Sequence, residues 1–173
     1  MKKTKEIISD KVAVVNQILP HTNKWAWDLF IDGAANNWMP TEISMAKDIE
    51  QWRSDSLTND EKLVVKRSLG FFAGSESLVA NNLLLSIFKY VTDPECRQYI
   101  LRQAYEESLH NLTVVYCCDS LGLKIGEVYQ AYNSIPSIKS KDEFLMNICT
   151  DINRSDFNIN TLEGKREFLR NII

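Results

Sequence analysis

The chain has little of what breaks helices and little of what ordinarily binds metal. Its 173 residues include 6 glycines, 4 prolines and 2 histidines. So few turn-forming residues argue against a disordered linker, a collagen-like repeat or a β-domain built from many tight turns. No segment alternates apolar and polar residues as a half-buried strand does. No uninterrupted apolar run reaches bilayer-spanning length, and the charged start from Met1 to Glu6 leads into no apolar signal core, so a cytoplasmic protein is expected. Cys96, Cys117, Cys118 and Cys149 form no C-x-x-C pair. That spacing fits neither a zinc knuckle nor a disulfide frame, and predicts reduced, mostly buried thiols. The net charge of −3 and pI of about 5.5 lack the basic footprint of a nucleic-acid binder.

What is present is apolar material at helical spacing. Hydrophobic residues make up 45% of the chain and charged residues 25%, an ordinary mix for one globular domain over residues 1–173. Apolar residues recur at helical intervals over 4–18, before Pro20, and predict a first helix. Trp25, Trp27 and Phe30 mark a short helix over Lys24–Ala35, and Asn36–Pro40 reads as a turn. Ile43, Ala46, Ile49 and Trp52 predict a helix over Thr41–Arg53. Thr58 and Glu61 form a capping-box pattern that opens a long helix reaching about Val91. Asp93 followed by Pro94 starts a second long helix, which Gly122 stops after Leu121. Further helices are expected over 126–133, 140–153 and 161–173. Trp25, Trp27, Trp38, Trp52, Phe71 and Phe72 read as packing aromatics, and His21 as an exposed residue without a role. The expected class is all-α.

Within the second long helix lies Glu107-x-x-His110. Residues three apart share a helix face, so a carboxylate oxygen and an imidazole nitrogen there can grip one transition-metal ion. The preceding long helix carries Glu76 amid Phe72, Val79 and Leu83. An acid in that setting is costly to bury unless paired or metal-bound. The short connection makes the two helices antiparallel neighbours, with Glu76 and Glu107 at similar distances from it, so the three side chains can meet. Glu, Glu and His suit iron or manganese better than a thiolate-type zinc site. In carboxylate-bridged di-metal bundles two helices each give a Glu and two others each give a Glu-x-x-His. On pattern alone, an ordinary helix ion pair remains open beside the metal reading.

Three stretches carry a resemblance: Asn36–Ile43 (NNWMPTEI), Phe71–Asn82 (FFAGSESLVANN) and Arg102–His110 (RQAYEESLH). They resemble the radical-generating small subunit of class I ribonucleotide reductase, from about Trp25 to the C-terminus, and among its members the chlamydial-type group with a manganese–iron cofactor. The resemblance implies a ferritin-like helical bundle. It implies that Glu76 is the first-helix carboxylate ligand, Glu107 the metal-bridging carboxylate and His110 the first-metal histidine. It implies that Trp38 begins the electron path to the large catalytic subunit.

Two departures from the family pattern shape the expectation. Valine stands at position 114, one turn after His110, where the family keeps its radical tyrosine; Tyr116 lies off the ligand face. The chlamydial type has Phe at that place and keeps its oxidising equivalent on the metals, so Val114 fits a metal-centred oxidant. The family's second Glu, second Glu-x-x-His and the Asp linking the histidine to Trp38 are also missing. The expectation is the N-terminal half of a split small subunit. It would carry half of an Mn/Fe or Fe/Fe centre, and a complementary C-terminal half and the large subunit would be its partners. The alternatives are a homodimer with a symmetric site, a ligand-binding oxidase of the same superfamily, or a non-catalytic helical scaffold.

Overall fold

A computed structural model describes residues 6–11 and 15–172, with the side chains of Ile125, Ala131 and Tyr132 outside that description. In chain order the helices are α1 (Lys24–Ala35), α2 (Ala46–Arg53), α3 (Asn59–Asn82), α4 (Phe88–Tyr90), α5 (Pro94–Leu121), α6 (Ile125–Tyr129), α7 (Ala131–Ser134), α8 (Pro136–Asp151) and α9 (Leu162–Ile172). A 3-10 turn, Pro40–Glu42, precedes α2, and a π-helical stretch, Leu83–Ile87, joins α3 to α4. Among the described residues there is no strand, only an isolated antiparallel bridge between Ile8 and Val91. The chain divides into two compact units: Met1–Asn37, Val79–Glu106 and Leu145–Ile173, and Trp38–Leu78 with Glu107–Phe144.

In the first unit, Ile152, Ile159 and Phe168 are almost wholly buried. The Tyr90 ring meets Phe157 and Phe168 edge-on, and its hydroxyl donates to the Ile152 carbonyl at 3.2 Å. Asp93 caps α5 as expected, accepting the Cys96 amide at 3.0 Å. The helix expected over 4–18 does not form at the described residues in that range; positions 4, 5 and 12–14 lie outside them. There the Ser9 amide donates to the Tyr90 carbonyl at 3.0 Å and the Thr92 amide to the Ile7 carbonyl at 2.8 Å. A long-range pairing takes the backbone groups that helical periodicity had assigned to a local ladder. His21 is exposed, as expected, yet it has partners. It packs on Trp27 at 5.4 Å and places Nδ1 3.5 Å from the buried Glu95 carboxylate.

In the second unit the capping box forms: the Thr58 amide donates to Glu61 at 2.8 Å and the Glu61 amide to the Thr58 hydroxyl at 3.3 Å. Those contacts hold the Glu61 carboxyl below its usual range, the Thr58 amide contributing most. Ala73 on α3 packs with Val114 and Cys118 on α5 and Val128 on α6. Gly122 ends α5 at φ 67°, a conformation glycine adopts without strain. The helix expected over Thr41–Arg53 begins only at Ala46. The reason is local: Pro40 starts a 3-10 turn, and the Glu42 carboxylate accepts the Met39 amide at 2.9 Å, closing a box before α2 begins.

The continuous helical stretch Asn59–Tyr90 is long and apolar enough to cross a bilayer by length and composition alone, a property shared by core helices of soluble proteins.

Candidate metal centre

The two long helices bring together the three side chains singled out in the sequence. His110 Nδ1 lies 3.0 Å from Glu76 Oε2 and 3.1 Å from Glu107 Oε2. One ligand atom from each residue falls within 4.8 Å of the other two. The spacing of three on α5 puts Glu107 and His110 on one face, and α3 runs antiparallel beside it, since Ala73 meets Val114 while Ser77 meets Asn111. The glutamate side chains are 18% and 12% exposed and the histidine 43%. The acids are therefore held inside, while the imidazole opens one side of the group.

Burial and neighbouring charge set the electrostatics of the group. Burial raises the Glu107 pKa, and the hydrogen bond and charge of Glu76 raise it further, against the opposing pull of His110. Burial disfavours the charged imidazole of His110, but hydrogen bonds and charge from Glu107 and Glu76 outweigh it and leave the pKa above its ordinary value. A divalent or trivalent metal needs its ligand atoms deprotonated, so its affinity for such a group would depend on pH. Two carboxylate oxygens and one imidazole nitrogen fit iron or manganese. Among the described residues no other three His, Cys, Asp or Glu side chains converge this way.

Trp38 belongs to the same unit, and its ring lies 6.1 Å from the His110 ring, tilted by 31°. With Leu69, Phe72, Glu76, His110, Thr113 and Val114 it lines a cavity of about 360 Å3. Val114, where the resembling family keeps its tyrosine, is 4% exposed and packs into the apolar core of this unit.

Two residues that sequence reading passed over also shape the site. Ser77 donates to Asn111 at 3.2 Å, and Asn111 donates to the Glu107 carbonyl at 3.2 Å. Each directly follows a candidate ligand, which is the only sequence signal they carry. Tyr116, placed off the ligand face, donates its hydroxyl to the Ile43 carbonyl at 2.8 Å.

Comparison with known proteins shows the family and the fold. A family model described as "Ribonucleotide reductase, small chain" matches residues 15–173. The ribonucleoside-diphosphate reductase subunit beta of Chlamydia pneumoniae is 50% identical over 159 residues, 92% of this chain and 46% of that protein. The small chain of Neurospora crassa is 28% identical over 128 residues, 72% of this chain and 31% of that one. Among solved structures, the R2 subunit from Clostridium botulinum matches with a TM-score of 0.74 at 23% identity, over 98% of this chain and 55% of that chain. The dimanganese(II)-NrdF of Streptococcus sanguinis matches with a TM-score of 0.63 at 20% identity, over 82% of this chain and 49% of its own. The fold is therefore all-α and ferritin-like. The chain spans less than half the length of either relative and about half of each solved chain.

Proposed function

The chain belongs to the ribonucleotide reductase small-chain family, and from that premise we propose that it supplies one half of the dinuclear metal site of a ribonucleoside-diphosphate reductase small subunit. The observation that carries this reading is the meeting of Glu76, Glu107 and His110 Nδ1 at about hydrogen-bond distance. These three would hold the first metal. A complementary C-terminal half brings a further Glu and a second Glu-x-x-His, the division of ligands usual in carboxylate-bridged bundles. It docks on the open side of His110, against the α3 face that carries Val65, Leu69, Phe72 and Glu76 at helical spacing; Val65 is 37% exposed and Phe72 46%.

When bound, the centre, Mn/Fe or Fe/Fe, activates dioxygen and supplies a one-electron oxidant. The chain's own residues do the rest. Glu76, Glu107 and His110 would hold the first metal and fix its position. Trp38 gives up an electron toward the His110 side and is refilled from the large catalytic subunit, where ribonucleotides become deoxyribonucleotides. Val114 offers no phenol, so the oxidising equivalent is not stored on a tyrosine at that position. The setting is cytoplasmic.

Metal analysis tests the reading. We expect the chain to hold two metals per completed site with its complementary half, and Glu107→Ala to abolish uptake in that assembly. Uptake at unchanged stoichiometry in the variant removes the ligand assignment. Two metals per homodimer of this chain alone would replace the split site with a symmetric one. No metal under any condition would leave a scaffold.

A further inference from the structure

We infer that Tyr116 is a positioning residue for Trp38, holding the segment that carries the indole against the helix that carries His110. This inference rests on the reading of Trp38 as the first relay. The geometry runs through a short, closed path. The Tyr116 hydroxyl on α5 donates to the Ile43 carbonyl at 2.8 Å. The Ile43 amide in turn donates to the Pro40 carbonyl at 3.1 Å, and the Glu42 amide to the Met39 carbonyl at 3.0 Å. The Glu42 carboxylate accepts the Met39 amide at 2.9 Å. Met39 follows Trp38 directly. Residues 39–43 therefore form a braced turn, with Trp38 at one end and the Tyr116 bond at the other.

Packing alone does not anchor the far end of that turn. Pro40 is buried, but the Ile43 side chain is 68% exposed and Met39 is 38% exposed. The phenol supplies a directional tie where apolar contact is thin. It also joins the two groups whose separation matters, because Tyr116 and His110 share one rigid helix. A displacement at Ile43 passes through the braced turn to the indole, 6.1 Å from the His110 ring. Electron transfer falls steeply with separation and orientation, so a small movement there is felt in rate while the Glu–Glu–His group stays as it was. This explains a tyrosine that lies too far round the helix to face the ligands: its partner is the relay segment.

The test is Tyr116→Phe, which removes the hydroxyl and keeps the ring. In the 173-residue chain labelled with 5-fluorotryptophan, Trp38→Phe identifies the Trp38 fluorine resonance. Tyr116→Phe should shift or broaden that resonance and leave those of Trp25, Trp27 and Trp52 in place. Tyr105→Phe, on the same helix, should move none of them. In the assembled small subunit with its large subunit, Tyr116→Phe should slow nucleotide reduction by on the order of tenfold, with the rate of oxygen reaction and the metal content unchanged. The double variant Trp38→Phe/Tyr116→Phe should be no slower than Trp38→Phe alone. A Trp38 resonance unmoved by Tyr116→Phe overturns the inference, even if turnover falls. Normal turnover in Trp38→Phe instead overturns the relay reading, and the fluorine spectrum still decides whether Tyr116 holds the segment.

Discussion

Ser77 on α3 and Asn111 on α5 are joined by a hydrogen bond of 3.2 Å from the serine hydroxyl to the amide oxygen. Each is the residue after a candidate ligand, Glu76 and His110. Asn111 also donates back to the Glu107 carbonyl at 3.2 Å, so one side chain clasps the neighbouring helix and the turn that bears both α5 ligands. Sliding α3 by one residue moves its side chains about 1.5 Å along and about 100° around the axis. That is enough to take Glu76 away from His110 Nδ1. The clasp therefore fixes the axial register on which the three-residue group depends.

Ser77→Ala should cost more in metal affinity than in stability. Losing a half-buried hydroxyl–amide bond is worth roughly 1 kcal/mol of folding free energy. Affinity of the assembled site, read by competition with a chelator, should drop by about tenfold as the register loosens. Ser77→Thr keeps the hydroxyl and should restore most of it. Equal affinity in Ser77→Ala and the parent would mean that the ligands hold the register themselves.

The parts of the fold legible in the sequence are those whose two partners lie within a turn of each other. Thr58 with Glu61, Asp93 with Cys96 and Gly122 at the end of α5 act locally, and all three form as expected. The helix expected over 4–18 fails because Ile7 and Ser9 find backbone partners at Thr92 and Tyr90, more than eighty residues away. No periodicity within the segment contains that information. At the site, the spacing of Glu107 and His110 was legible because a helix face repeats every three to four residues. The partnership with Glu76 needed the antiparallel hairpin as well. Ser77, Asn111 and Tyr116 were not legible, since their roles depend on which side of one helix faces another. Val114 was legible as a departure only through the family resemblance.

Two glycines should respond in opposite directions to the same change. At Gly164 on α9, an added Cβ would sit 1.9 Å from the Asn158 carbonyl oxygen and 2.7 Å from its carbon. The loop there is pinned: the Thr161 hydroxyl donates to the Asn158 carbonyl at 2.9 Å and accepts the Gly164 amide at 3.0 Å. Backbone cannot step aside as a side chain can, so Gly164→Ala should destabilise by about 3 kcal/mol, the upper end of overpacking costs. At Gly126 on α6 a Cβ meets nothing within 4 Å. Gly126→Ala should be neutral or stabilise by roughly 0.5–1 kcal/mol through reduced backbone entropy of the unfolded chain. Thermal unfolding of the two variants side by side checks both signs.

Asp142 on α8 gives a pH dependence. It is 6% exposed, its Oδ1 has no hydrogen-bond partner, and its Oδ2 lies where a Cβ on Gly74 would come within 3.2 Å. Burial raises its pKa above the ordinary 3.8. The folded state thus binds this proton more tightly than the unfolded state. The associated stability is fully present below the ordinary value and is lost as pH rises through the raised folded value. Asp142→Asn keeps the shape and removes the charge. Its stability should match the parent at low pH and exceed it at neutral pH, with the gap opening across that window. A gap that stays constant with pH would exclude titration of Asp142 as its source.

Val114→Tyr should return a phenol to the cavity beside the ligands. Val114 sits one turn after His110 and lines the space of about 360 Å3 with Trp38, Leu69, Phe72 and Glu76. The larger side chain has room to enter that space, so the overpacking cost expected of a filled core should be mostly avoided. After metal loading and exposure to oxygen, the assembled Val114→Tyr enzyme should show a phenoxyl signal by electron paramagnetic resonance. Val114→Phe fills the same space without a hydroxyl and should show none. A folded, metal-loaded Val114→Tyr variant that stays silent would mean that a phenol at this position lies outside the oxidant's reach.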